Sequence, residues 1–176
     1  VRLENPIQEE SPEMRTSLLP GLLQAAARNL SRGLTSGYLF ELGSAFVAVE
    51  NQSKSVEFPE TSKRPTNKQL ESLKTQIPSQ PEMIAAVGFG DSQLIQPGSK
   101  SQPLDYKHAI DSVLKISDTL SLQFEIRNAE KPGLHPGRAA EILIDGETVG
   151  FVGELHPDIS EQYHLPRVSV FEMNLS

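Results

Sequence analysis

The sequence contains no cysteine and no tryptophan, and aromatic residues make up only 6% of its 176 positions. Without cysteine there is neither a disulfide nor a thiolate metal site, and a reducing compartment is favoured. No apolar run reaches the roughly 18–20 residues of a membrane span, and no signal-peptide pattern is present. A cytoplasmic chain with no membrane partner is therefore expected. Basic charge is also scarce: the net charge is −7, with 23 acidic against 16 basic residues. An autonomous nucleic-acid binder needs a basic footprint to neutralise phosphates, so that class is disfavoured. The basic stretch Lys54, Lys63, Arg64, Lys68 and Lys74 reads as a solvated loop ahead of a phosphate contact.

Several catalytic signatures are missing as well. There is no G-x-S-x-G elbow, no P-loop, no G-x-G-x-x-G and no H-E-x-x-H. No internal repeat is visible. The length fits one domain over residues 1–176, with 50–81 and 90–104 as surface excursions. The chain opens at Val1 on an alternating segment and closes on another, Val168 to Leu175, as a domain excised from a longer polypeptide would.

What is present is clear punctuation. Val1 to Asn5 alternates and should be a strand ended by Asn5-Pro6. Ser17 can cap a helix with Pro20 in its first turn, Leu19, Leu22, Leu23, Ala26 and Leu30 on one face, and Gly33 as a left-handed stop. Gly37 to Val49 reads as a long strand, and Met83 to Phe89 as a central strand covered on both faces. Within 50–81 at most a short helix near Lys68–Lys74 is expected. Asp105 can cap a helix in which Tyr106, Ala109, Ile110, Val113 and Leu114 share a face. Leu122 to Arg127 alternates, Asp158 to Tyr163 is a short helix, and Val168 to Leu175 closes the sheet. Strands outnumber helices and several are hairpin-linked, so the fold class is α+β with a largely antiparallel sheet flanked by helices.

The segment His135 to His156 is one long hairpin around Asp145-Gly146, a pair suited to a type I′ turn. With those two as the turn, Ile144 faces Glu147 and His135 falls opposite His156. Strand alternation then puts Ala140, Ile142, Ile144, Val149 and Phe151 on the core face. His135, Glu141, Leu143, Thr148, Val152, Glu154 and His156 take the other. Two imidazoles and a carboxylate at the hairpin mouth resemble a His2Glu zinc set, so a stand-alone metal-dependent hydrolase using His135, Glu154 and His156 is one possible reading. The structural alternative, His-Pro as a way to leave a sheet, outweighs it, and a one-residue bulge at Gly137 or Gly153 would destroy the convergence. Arg138 sits on the core-face parity and needs a partner, which Glu41, Glu125 or Glu172 could supply. Glu41, inside an apolar strand, should be paired or functional. Arg15 could hold an anion near the first helix, though an ion pair with Glu9, Glu10 or Glu13 is the simpler reading.

Several motifs in order resemble one family. They are Val1-x-Leu3-x-Asn5-Pro6, Met14-Arg15-Thr16-Ser17-Leu18-Leu19-Pro20-Gly21-Leu22-Leu23, Arg28-Asn29-Leu30 and Leu39-Phe40-Glu41-Leu42-Gly43. With them go His135-Pro136-Gly137-Arg138-x-Ala140, Gly150-Phe151-Val152-Gly153-Glu154-Leu155-His156-Pro157 and Phe171-Glu172-Met173-Asn174-Leu175. Together they resemble the beta subunits of bacterial phenylalanyl-tRNA synthetases, over residues 1–49 and 121–176 well and over 82–120 loosely. The resemblance implies a class II aminoacyl-tRNA synthetase-like core that makes no adenylate, in a beta subunit that pairs with a catalytic alpha subunit as an (αβ)2 heterotetramer. It implies ATP and Mg at the alpha subunit, none in this domain, and tRNA(Phe) bound through the holoenzyme for its ATP-dependent charging in translation. The chain alone could form a homodimer. No catalytic, cofactor or metal residue carries over. Arg15, Glu41, His135, Arg138, Glu154 and His156 carry over as structural or interface positions, with Val1 to Arg32 the expected interface. The residues agree: Tyr38 to Val49 has no arginine of the kind a second class II motif uses to hold ATP, and no G-x-G-x-x-x-R helix start follows. The chain departs from the family pattern in lacking a tryptophan after the central strand and in carrying Asp105-Tyr106-Lys107-His108-Ala109.

Overall fold

A computed structural model describes residues 13–47, 62–75, 77–92 and 101–176. The strand expected at Val1 to Asn5 and the segments 48–61 and 93–100 lie outside these residues, and the strand expected over Gly37 to Val49 ends already at Ser44. In chain order the elements are α1 (Leu19–Ser31), β1 (Gly37–Ser44), α2 (Asn67–Lys74), β2 (Glu82–Phe89), β3 (Asp91–Ser92) and β4 (Gln102–Pro103). They continue with α3 (Tyr106–Leu120), β5 (Phe124–Asn128), β6 (Leu134–Ile144), β7 (Glu147–Leu155), α4 (Pro157–Gln162) and β8 (Val168–Asn174). Contacts divide the chain into two units, residues 1–16 with 44–81, and residues 17–43 with 82–176.

In the first unit, α2 forms where the sequence allows a short helix. Thr66 and Gln69 make a reciprocal capping box, which satisfies two amide donors at the helix start. Val47 and Ser79 form an isolated antiparallel bridge. The Arg15 Nε donates to the Ser44 carbonyl at 2.9 Å, and the Phe46 amide donates to the Arg15 carbonyl at 2.8 Å.

The second unit carries a six-stranded sheet in the order β1-β2-β8-β7-β6-β5, with every pairing from β2 to β5 antiparallel. The closing strand thus lies in the middle. Apolar residues of alternating strand positions divide between two cores. Ala85, Val87, Phe89, Val168 and Val170 pack with Leu19, Leu22, Leu23 and Ala26 of α1. Ala86, Val152, Phe171 and Met173 pack with Ala109 and Val113 of α3. Strand β2 is therefore covered on both faces, as its continuous apolar run predicts. On α3 the buried stripe runs through Ala109, Val113 and Ser117 while Leu114 is exposed, so the apolar face lies a little to one side of the one expected.

Local signals explain most boundaries. The Asp105 carboxylate accepts from the Lys107 and His108 amides at the start of α3. Gly33, at φ +92°, ends α1 in the left-handed region as anticipated. The start of α1 differs from expectation. Leu18 occupies the cap, with no side-chain cap of its own, and the Glu172 carboxylate from β8 accepts from the Leu18 amide at 2.6 Å. Ser17 supports this arrangement by donating to Glu172 at 3.0 Å and accepting from the Leu19 amide at 3.2 Å. A buried carboxylate from the far end of the chain completes the helix, favoured also by the positive end of its dipole.

Candidate functional site

The β6–β7 hairpin begins as the sequence predicts. Asp145 and Gly146 both have positive φ, 51° and 83°, and Ile144 and Leu143 face Glu147 and Thr148. Then β7 takes one extra residue at Val149, and Ile142 faces Gly150. A single inserted residue inverts the parity of everything beyond it. Phe151 consequently packs with the α1 core, not with Ala140 and Ile142, while Val152 joins Ala140 and Ile142 under α3. The mixed face expected for this hairpin is broken up: Leu143, Val152 and Glu154 are buried, while Thr148 is exposed.

A second irregularity follows at the open end. Ala139 pairs with Gly153 and Leu134 with Leu155, so His135 to Arg138 together face the single Glu154. Gly137, at φ +84°, makes that arc possible. His135 is therefore not opposite His156, and the convergence on which the zinc reading rested is lost. The His156 amide instead donates to the Gly133 carbonyl at 2.9 Å. Its ring caps α4, with Nδ1 accepting from the Asp158 amide at 3.3 Å and lying 3.6 Å from the Asp158 carboxylate. No cluster of three or more metal-type ligands forms among the described residues.

What the arc does assemble is a charge cluster around Glu154, which is 5% exposed. Arg138 Nη1 lies 3.4 Å from Glu154 Oε2, and Arg167 Nε lies 3.3 Å from Oε1. The Arg138 contact is an ion pair without well-formed hydrogen-bond geometry, so Oε2 is compensated by charge alone. Arg138 Nη2 also donates to His135 Nε2 at 2.7 Å, and His135 Nδ1 meets the Pro136 carbonyl at 2.6 Å. Those two partners require the neutral imidazole with its proton on Nδ1. A carboxylate held by two guanidiniums is also a poor metal ligand, since its charge is already met.

Arg138 thus finds a partner, but none of the three expected. Glu125 pairs with Arg127 at 3.1 Å, Glu172 serves α1, and Glu41 is half-buried and engaged in β1. Two members of the site, Arg167 and His164, escaped the sequence reading. A cation immediately before the closing strand, in Leu165-Pro166-Arg167-Val168, was the available signal, because β8 pairs Ser169 with Glu154. Around the cluster lies a cavity of about 520 Å³, walled by His135, Arg138, Ser160, His164 and Arg167 and by apolar Leu155 and Leu165.

A second polar feature lies on the α3 side. Tyr38 stacks edge-on against His108, with ring centroids 5.0 Å apart. Burial pushes its phenol above the ordinary value, and the Ser112 side chain offsets part of that shift. The Tyr38 hydroxyl makes no well-formed hydrogen bond, and Ser112 donates its proton to the His108 carbonyl at 2.9 Å.

The family model described as the phenylalanyl tRNA synthetase beta chain CLM domain matches residues 1–175. Phenylalanine–tRNA ligase beta subunits are similar along the chain. The one from Corynebacterium glutamicum is 37% identical over 177 residues, covering 100% of this chain and 21% of the relative. Those from Streptomyces avermitilis and Staphylococcus aureus are 37% and 34% identical over 180 and 169 residues, covering 99% and 96% of this chain and 22% and 18% of theirs. The chain spans about a fifth of the length of these relatives. Among solved structures, a pyrrolysyl tRNA synthetase from Desulfitobacterium hafniense superposes with a TM-score of 0.55 at 12% identity, over 92% of this chain and 47% of the other. That likeness is one of fold.

Proposed function

Because the chain belongs to the phenylalanyl-tRNA synthetase beta-chain family, we propose that it is the non-catalytic module through which a beta subunit holds its catalytic alpha subunit. The reading takes the sheet as a class II synthetase core that has given up its chemistry. It places ATP, Mg and adenylate formation at the alpha subunit, within an (αβ)2 ligase that charges tRNA(Phe) in the cytoplasm. Likeness of fold to a pyrrolysyl tRNA synthetase supports the class II part.

The observation that carries the non-catalytic part is the sealing of the central strands. Ala85, Val87 and Val170 lie under α1, and Ala86, Phe171 and Met173 under α3, each at most 2% exposed. A nucleotide lying on either face would have to displace close-packed side chains, at several kcal/mol (about 1–3 for each overpacked group). The metal-hydrolase alternative has no support, since His135 and Glu154 are both engaged by Arg138 while His156 caps α4. On this reading Arg138, Glu154 and His135 shape the hairpin mouth, His156 caps α4, and Arg15 and Glu41 are structural.

Phenylalanine-dependent exchange of pyrophosphate into ATP tests the proposal. The full beta chain alone should show no exchange above buffer, and adding the alpha subunit should restore it. Exchange by the beta chain alone would refute the reading.

A further inference from the structure

The cavity beside Glu154 is not used by the function proposed above. We propose that it binds a compact oxyanion, a carboxylate or a phosphate, carried by a small organic molecule, with Arg167 as the principal donor. Two observations on the same wall converge. Buried Glu154 lies 3.3 Å from Arg167 Nε. The Arg167 side chain is nevertheless 63% exposed. A guanidinium whose Nε edge faces a carboxylate can turn its terminal fork toward solvent, the group that suits bidentate capture of carboxylate or phosphate.

Arg138 adds charge without competing for the same task. Both its terminal nitrogens are committed, one to Glu154 and one to His135. Two guanidiniums against one carboxylate leave a positive excess in a chain whose net charge is −7. The neutral His135 leaves that excess intact. Glu161 stands at the exposed rim as the second carboxylate lining the cavity, besides Glu154. With the chain's overall acidity, it works against a polyanion such as an RNA backbone and leaves room for a small mono- or dianion.

Size and lining fix the rest of the ligand. A volume of about 520 Å³ lies within the range of small-molecule pockets and exceeds what an inorganic ion fills. Leu155, Leu165 and Pro166 offer apolar walls for an organic body, with Ser160 available as a further hydroxyl.

Calorimetric titration of the full beta chain, assembled with its alpha subunit, tests this with phenyl phosphate, benzoate and inorganic phosphate as probes. Saturable binding of phenyl phosphate or benzoate is expected, weakening as salt rises. Whichever of the two binds tighter identifies the head group. Arg167→Ala should weaken binding about tenfold or more, and Arg167→Lys should weaken it less, because charge remains while the fork is lost. Glu161→Gln should leave binding unchanged or tighter. The lysine variant keeps the charge opposite Glu154, so it reports even if the alanine variant loses its fold. No saturable binding of either organic probe would overturn the proposal. So would affinity unchanged in Arg167→Lys and Arg167→Ala, or inorganic phosphate binding as tightly as phenyl phosphate.

Discussion

Replacing Glu172 by alanine would leave the Leu18 amide and the Ser17 hydroxyl facing an empty space where a carboxylate stood. An unsatisfied buried donor costs about 1–3 kcal/mol. The loss should appear as faster hydrogen exchange in α1 by roughly that free energy, with Glu172→Gln milder because its amide oxygen still accepts. Tyr38 gives a prediction with a pH axis. Its phenol is raised above 10 by burial, so in the unfolded chain it ionises first. The neutral group's contribution is fully present below pH 10 and is lost as the pH climbs from there through the raised folded value. Tyr38→Phe should flatten that alkaline decline in urea unfolding. It should cost little at neutral pH, because the hydroxyl it removes makes no well-formed bond.

Among the elements, the β6–β7 hairpin separates two kinds of glycine. A Cβ on Gly146 would meet nothing, so Gly146→Ala should cost only the strain of its φ, about 1–2 kcal/mol. A Cβ on Gly150 would collide with the Glu172 backbone oxygen and with Met173, so Gly150→Ala should cost more than about 3 kcal/mol or prevent folding. Equilibrium unfolding of the two variants side by side checks the order. The same contrast explains what was legible in the sequence. Asp105, Gly33 and Asp145-Gly146 speak through local geometry, and the elements they bound were readable. The arc His135 to Arg138 falls at Gly137, one of the two glycines where a bulge was anticipated, but its length and the extra residue at Val149 have no local signature. They are set by the close approach of Gly150 to β8 and by the arginines gathered on Glu154. Single members of the site were visible for that reason, but their pairing was not.

For the whole molecule, the outer face of α1 bears on assembly. Truncating residues 1–32 would remove Leu19, Leu22, Leu23 and Ala26 from the core, so failure to pair would say nothing about contact. Gln24 and Arg28 are exposed and leave the core intact. Under the proposed assembly, Gln24→Arg with Arg28→Glu should weaken association with the alpha subunit about tenfold or more while thermal unfolding stays put. Analytical ultracentrifugation of the coexpressed subunits reads this directly, and undiminished association would move the contact elsewhere.

The strand order carries a consequence for biosynthesis. Strand β8 is translated after the other five yet lies between β2 and β7. Until it leaves the ribosome, the nascent chain holds one half-sheet of β1 and β2 and another of β5, β6 and β7, each with an open edge. Such edges invite mispairing with other chains. The Glu172 carboxylate arrives on that same strand, so α1, made well before it, receives its cap only when the sheet closes. The arrival of β8 therefore joins the two halves and completes α1 in a single step.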